Sequence, residues 1–188
     1  MIITLTGASG SGKTAIAKAI MEKVAHAKPL TSTTTRKPRP SDLPDDFEYL
    51  GRESFERLRD QGVFLWTADV GSTSHGTRTE WLEKAMEDER TISIMILVPE
   101  VLPKLYAFAD KMHKRGAIAS FFIITPPDEV LRRRMRERGD AENEISERLE
   151  SCRPFERKAR ASRIPYVWID NSGELERAVN AVIEQVNK

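Results

Sequence analysis

An α/β fold with a parallel β-sheet core is predicted by three features of this 188-residue chain. Short apolar runs alternate with amphipathic stretches, the pattern of strands joined by crossover helices. The first apolar run leads into a glycine-rich loop that opens a helix-like stretch, and several later helical stretches carry Pro near their first turn, where its missing N–H would have no helical partner. Strands fit residues 2–5, 91–98, 118–124 and 166–169, and helices fit 13–25, 99–114, 126–137, 142–161 and 173–186. Between the first helix and Thr91 the pattern breaks into shorter β-like pieces, 47–50, 63–67 and 70–77, with helices near 53–60 and 78–88. This predicts a small inserted flap. The Pro- and Asp-rich segment 37–46 predicts a mobile loop.

Composition narrows the function classes. Lys and Arg number 30 against 29 Asp and Glu, so the net charge of +1 gives no global field to draw the chain to nucleic acid or to a membrane. Any preference for anions must be local. A single cysteine, Cys152, excludes an intrachain disulfide and reads as a small apolar residue on a helix, and three separated histidines leave no zinc-ligand spacing. The first residues enter a strand at once and no window approaches about twenty apolar residues, so a cytoplasmic protein is expected, as monomer or homodimer.

Residues 7–14 read Gly-Ala-Ser-Gly-Ser-Gly-Lys-Thr, a complete G-x-x-x-x-G-K-[ST] phosphate loop set between the first strand and the first helix. Gly7, Gly10 and Gly12 let the backbone turn tightly and aim its N–H groups at phosphate oxygens, beside the positive end of the helix. Lys13 is expected to span the β- and γ-phosphates of ATP and the Thr14 hydroxyl to hold Mg²⁺. The expected ATP contacts are thus Gly7, Ala8, Ser9, Gly10, Ser11, Gly12, Lys13 and Thr14. Asn171, just after the strand at 166–169, falls at the carboxyl edge of the sheet where ligands of such folds gather, and is expected to border the adenine.

Two further segments carry clustered cations. In Ser32-Thr33-Thr34-Thr35-Arg36-Lys37-Pro38-Arg39 the guanidinium forks match phosphate oxygens, and the proline stiffens the turn so that Arg36 and Arg39 can converge on one anion. A solvated basic loop fits that segment alone equally well; beside a phosphate loop it points to a phosphorylated acceptor, and so to a kinase. The run Arg132-Arg133-Arg134-Met135-Arg136-Glu137-Arg138 places five arginines within seven residues, too many for one helix face. Arg132, Arg133 and Arg136 fit a solvated face as well as any site. Arg134 and Arg138, with Arg148 further on, are expected to neutralise the charge that phosphoryl transfer spreads over the equatorial oxygens. The run lacks the interleaved aromatics of a nucleic-acid groove.

With these motifs in place the chain resembles the guanylate kinase family, through four segments in the family's order: 7–14; 32–39; 64–77, ending in His75-Gly76-Thr77; and 134–139 with 145–149. The resemblance implies a P-loop NTPase three-layer fold in which residues 1–188 form one domain. Its CORE would be 1–31, 89–133 and 154–188, its nucleoside monophosphate-binding flap 32–88, and its helical LID 134–153. The resemblance also implies the reaction ATP + GMP = ADP + GDP with Mg²⁺, small-molecule nucleotides as the only partners, and Lys13, Arg134, Arg138 and Arg148 as the catalytic residues. On the acceptor side it implies phosphate ligands Arg36 and Arg39, a base contact at Ser32, and contributions from Phe47, Asp69, His75, Gly76 and Thr77.

Departures from the family pattern gather on that acceptor side. Two tyrosines that hold the acceptor phosphate appear as Phe47, which has no hydroxyl, and His75, which can still donate a hydrogen bond. The glutamate that reads the guanine edge appears as Asp69, one methylene shorter. A Leu-Asp-Ile-Asp strand reads Ile94-Met95-Ile96-Leu97, removing a guanine contact and a carboxylate near the metal, with Glu100 the nearest substitute. A site without those acceptors discriminates weakly among bases. GMP is the leading acceptor. A phosphorylated sugar, as for the similar ribose 1,5-bisphosphate phosphokinases, is the enzymatic alternative, and a non-catalytic guanylate-kinase-like binding module is the alternative outside enzymes. Trp66, Trp81 and Trp168 read as packing residues.

Overall fold

The computed structural model describes residues 1–39, 42, 45–70 and 72–186. In chain order the elements are β1 (Ile2–Thr6), α1 (Lys13–Lys23), β2 (Ala27–Pro29), β3 (Ser32–Thr34), β4 (Phe47–Tyr49), α2 (Arg52–Asp60), β5 (Phe64–Val70), β6 (Thr73–Arg78), α3 (Thr79–Glu87), β7 (Ile92–Ile96), α4 (Leu102–Lys111), β8 (Ile118–Ile123), α5 (Asp128–Glu137), α6 (Glu142–Ala161), β9 (Tyr166–Ile169) and α7 (Leu175–Val186). They fall into two compact units. One holds residues 26–95 and 101–118 with the first two residues; the other holds 3–25, 96–100 and the chain from Ala119 onward. The α/β class expected from the alternating pattern is the one observed.

In the unit that carries the glycine-rich loop, β1, β8 and β9 lie side by side in that order, with β8 and β9 parallel and Ile123 opposite Ile169. β1 is buried throughout, and its Thr4 hydroxyl is satisfied inside by donating to Ser120 Oγ at 2.8 Å. A strand covered on both faces needs an unbroken apolar run, which is why these strands stand out in the sequence. α1 packs along α7 through buried Ile16, Ala17 and Ile20 on one helix and Ala178, Val179 and Val182 on the other. α5 and α6 meet around Leu131, Met135, Ile145 and Leu149, and that cluster takes in Ala8 of the loop, with Cys152 packed against it.

In the other unit β2 pairs in parallel with β7, and a four-stranded sheet runs in the order β4-β3-β6-β5. β3 and β4 are parallel, whereas β3–β6 and β5–β6 are antiparallel. α2 anchors to this sheet by Phe55, 1% exposed, whose ring stacks on Phe64 at 4.8 Å.

Several boundaries differ from the sequence expectation. β2 and β3, three residues each, carry too few apolar side chains to register as strands. The two pieces expected over 63–67 and 70–77 are two antiparallel strands with a shifted boundary: β5 runs on to Val70 and β6 begins at Thr73, with Gly71 outside the described residues. The helix expected over 99–114 opens with a tighter 3₁₀ turn, Pro99–Val101, and its regular part α4 ends at Lys111, where the chain turns away through His113 at a φ of 55°; a second 3₁₀ turn, Arg115–Ala117, lies beyond it. Of the loop expected over 37–46, Pro40, Ser41, Leu43 and Pro44 lie outside the described residues. Trp66 is buried, while Trp81 and Trp168 lie under the guanidinium groups of Arg78 and Arg160 at 5.0 and 4.1 Å.

Truncating Phe55 removes the ring that seats α2. Phe55→Ala is expected to lower unfolding stability by about 3 kcal/mol, read from the urea midpoint of full-length chain. A loss below about 1 kcal/mol would show that the stacked pair is not what holds the helix.

Candidate functional site

The loop between β1 and α1 is shaped by close backbone approaches. Gly7 and Gly12 have φ of 151° and 101°; a Cβ at Gly7 would stand 2.7 Å from the Ile123 carbonyl oxygen, and one at Gly12 would stand 2.1 Å from Asn171 Nδ2. The loop is then braced from three sides. Asn171, 4% exposed, donates from Nδ2 to the Ser11 carbonyl at 2.8 Å. Arg134 on α5 donates to the Gly10 carbonyl at 3.4 Å and to the Asn171 carbonyl at 3.0 Å. The Ser9 N–H donates to Cys152 Sγ on α6 at 3.3 Å. Cys152 thus backs the loop directly, a role its position in the sequence did not suggest.

Lys13, the first residue of α1, folds back and donates to the carbonyls of Gly7 at 2.8 Å and Ala8 at 2.7 Å. Burial lowers its pKa to about 8; the Cys152 sulfur opposes the shift and the Arg138 charge adds to it. The Ser11 hydroxyl is buried with no hydrogen-bond partner among the described residues. Thr14 is exposed on the first turn of α1.

The metal question is decided by the donor set. Thr14 offers one hydroxyl oxygen, and no group of three or more His, Cys, Asp or Glu side chains able to hold a metal exists among the described residues. Met95 and Leu97 are buried side chains, and Glu100 is taken up by an ion pair with Lys158 at 2.5 Å. These residues fit a hard cation carried in on nucleotide phosphates and completed by water, as Mg²⁺ is usually bound, and not a protein-caged ion.

The arginine run divides. Arg134 braces the loop. Arg138, at the end of α5, is ion-paired to Asp140, and Arg148 on α6 lies 3.9 Å from the same carboxylate. Asp140, unremarked in the sequence, collects both. Arg132 and Arg136 face Glu142, and Arg133 faces Glu137, in exposed pairs.

The acceptor candidates lie in the other unit. Strand register puts Ser32 beside Phe47, and Thr34 beside both Tyr49 and His75, so these side chains share one face of the four-stranded sheet. The Phe47 ring meets His75 edge-on at 6.2 Å and carries the Arg36 guanidinium at 4.8 Å. Thr77, two residues beyond His75, continues that face and is buried. Burial, helped by the charges of Arg36 and Arg39, lowers His75 to about 4, so at neutral pH it is an uncharged donor or acceptor. Arg36 grips Asp42, and the Arg39 N–H donates to the same carboxylate. Gly76 turns to the opposite face, where a Cβ would stand 2.9 Å from the Phe64 ring. Asp69 also stands on that opposite face, opposite Ser74, whose hydroxyl donates to it at 2.7 Å. The sheet therefore groups Ser32, Phe47, His75 and Thr77 on one face and leaves Asp69 and Gly76 on the other.

Comparisons with known proteins agree on one family. The family model described as guanylate kinase matches residues 1–187. The chain is similar to the guanylate kinase of Syntrophus aciditrophicus, 32% identical over 99% of this chain and 86% of that one, and to the guanylate kinase of Caldanaerobacter subterraneus subsp. tengcongensis, 30% identical over 97% and 84%. Among solved structures, guanylate kinase from Anaplasma phagocytophilum shares the fold with a TM-score of 0.65 at 23% identity, covering 100% of this chain and 84% of that one.

Two titrations test the site. Lys13 loses its proton as pH rises through about 8, so triphosphate affinity should fall by about tenfold per pH unit above that point, measured by calorimetry between pH 7 and 9.5. A flat profile would remove Lys13 from the phosphate site. His75 titrates near 6.5 when unfolded and near 4 when folded, so between those values the unfolded chain binds the extra proton and stability falls as pH drops through the interval. NMR should show a neutral His75 ring at pH 5.5, and a charged ring there would contradict its burial.

Proposed function

Because the chain belongs to the guanylate kinase family, we propose that it transfers the γ-phosphoryl group of ATP to GMP, giving ADP and GDP. The observation that carries this reading is the complete phosphate loop, braced by Asn171, Arg134 and Cys152 with the Lys13 ammonium held against it. In this reading Lys13 leaves the Gly7 and Ala8 carbonyls for the β- and γ-phosphates, and the loop N–H groups take the remaining oxygens. Mg²⁺ bound through Thr14 and the phosphates would supply charge neutralisation. Arg138 and Arg148 exchange Asp140 for the transferring group, while Arg134 keeps the loop in shape. Residues 134–153 act as the LID and 32–88 as the acceptor flap, where Arg36, Arg39 and His75 hold the acceptor phosphate and Ser32 contacts the base.

An oxygen of the acceptor phosphate attacks Pγ, the bond from Pγ to the bridging oxygen breaks, and ADP leaves. That nucleophile is already anionic, so no side chain is needed as general base, and catalysis rests on positioning and charge. A cytoplasmic site of action belongs to the same proposal; among the described residues no helix is long and apolar enough to cross a membrane.

The place of Asp69 favours a second reading. Turned to the face opposite His75 and engaged by Ser74, it supports base reading poorly, so a phosphorylated sugar such as ribose 1,5-bisphosphate is the competing acceptor.

A coupled ADP-release assay with Mg-ATP against GMP, dGMP, AMP, CMP, UMP, dTMP and ribose 1,5-bisphosphate tests both. Selective turnover of GMP is expected; turnover of the sugar phosphate with GMP inert would move the assignment to the second reading, and silence with all seven would overturn kinase activity on these acceptors. With the productive acceptor, Lys13→Ala should lower kcat by about 100- to 1000-fold at unchanged melting temperature.

A further inference from the structure

Asp42 is bound as a ligand would be. Its two carboxylate oxygens are forked by Arg36, Nη2 to Oδ1 at 2.8 Å and Nη1 to Oδ2 at 3.0 Å. Oδ2 also accepts from the Tyr49 hydroxyl at 2.6 Å and from the Arg39 backbone N–H at 2.6 Å. The Arg36 and Asp42 side chains are only 12% and 14% exposed, and the guanidinium lies over the rings of Phe47 and Tyr49 at 4.8 and 5.9 Å. A planar fork, a hydroxyl and a backbone N–H thus converge on one small anion, the donor set that a phosphate monoester takes.

We propose that Asp42 is a built-in occupant of the acceptor-phosphate cradle, displaced when the acceptor binds, and that Tyr49 supplies the phosphate-binding hydroxyl that Phe47 lacks. Phe47 and Tyr49 are two residues apart on β4 and so project from the same face, which lets a hydroxyl lost at one position be recovered at the next. The donors are held ready. Although burial alone would raise it, the Asp42 carboxyl is kept below the usual carboxylate range by Arg36, Tyr49 and the Arg39 N–H, so it remains a charged competitor. Burial and the bond to Asp42 push the Tyr49 phenol up to about 12, so it stays a donor. A cradle filled by its own carboxylate reduces apparent acceptor affinity by the fraction of time it is occupied.

The inference rests on the proposed function only in taking the acceptor to carry a phosphate. Asp42→Asn keeps the shape and removes the charge, and should lower the acceptor KM by about tenfold; Tyr49→Phe should raise it by about tenfold. If Arg36–Asp42 is only a structural ion pair, Asp42→Asn will leave KM unchanged or raise it, and the displacement idea is wrong. The double variant isolates Tyr49. A hydroxyl that merely holds Asp42 is silent once Asp42 is Asn, whereas one that binds the acceptor still costs KM in that background. Independently of turnover, inorganic phosphate titrated into the full chain should perturb the Arg36 guanidinium and Tyr49 ring NMR signals at about tenfold lower concentration in Asp42→Asn than in wild type. Tighter phosphate binding there with every acceptor inert would sustain the cradle and sink the kinase reading; no tightening would sink the cradle whatever the enzyme turns over.

Discussion

Cations drawn out of water must be met by carbonyls or carboxylates, and much of the local structure around the glycine-rich loop and the four-stranded sheet follows from that constraint. Lys13 turns onto two carbonyls of its own loop, Arg134 onto two more, Arg138 and Arg148 onto Asp140, and Arg36 onto Asp42. The energetic weight of these substitutes differs. An exposed ion pair is worth about 0–1 kcal/mol, whereas removing one partner of a buried pair costs about 3–5 kcal/mol because the other charge is left desolvated. Arg138 is exposed but Asp140 is only 13% exposed, so when Arg138 is drawn away it is Arg148, 3.9 Å from the same carboxylate, that keeps Asp140 partnered. Arg36 is nearly buried, and an anion that takes it from Asp42 must replace almost everything the carboxylate provided.

The braces of the glycine-rich loop obey a second constraint, that of backbone proximity. A strand end, a turn of six residues and a helix start are brought so near to Ile123 and Asn171 that no side chain fits at Gly7 or Gly12. The loop is therefore stiffened from outside, by the segment after β9, by α5 and by α6. Each brace ties a carbonyl or N–H of the loop to an element that also carries part of the expected phosphate machinery: Asn171 after β9, Arg138 at the end of α5, Arg148 on α6. Changes in the pose of α6 would be felt at the Ser9 N–H through Cys152.

The sequence exposed what is local and hid what depends on pairing. β1 and β8 were legible because strands covered on both faces must be largely apolar, β9 because its four residues are all aromatic or β-branched, and the phosphate loop because its spacing is fixed within eight residues. β2 and β3 were not, because Ala27-Lys28-Pro29 and Ser32-Thr33-Thr34 carry too few apolar side chains to mark a strand, whereas β4, equally short, was marked by Phe47 and Tyr49. Asp69 shows the same limit at the site. Its chemistry suited the guanine edge, but a strand has period two, and the β5–β6 register that sets it opposite Ser74 turns it away from His75. Tyr49 carried a partial signal, since a tyrosine two residues from Phe47 on an extended segment must share its face. The convergence of Arg36, Tyr49 and the Arg39 N–H on Asp42 is tertiary, and no spacing announces it.

In the proposed function acceptor recognition divides into gripping a phosphate and reading what it is attached to, and the residues proposed for these two tasks are unequally supplied. Phosphate donors are abundant and desolvated, with Arg36 and Tyr49 already hydrogen-bonded to an anion and His75 neutral beside them. Base-reading acceptors are scarce: Asp69 is engaged elsewhere, and Met95 and Leu97 are buried apolar side chains where the family pattern has carboxylates. Discrimination by binding arises mainly from polar groups left unpaired by the wrong ligand, and a site short of such groups rejects little. Selectivity for guanine, if the enzyme has it, must then come from Ser32, from backbone groups and from shape, each of which penalises a wrong base less than a buried carboxylate would. Under the proposed function, a strong grip on phosphate and a weak hold on the base would together set an acceptor range defined first by the phosphate and only second by the nucleobase.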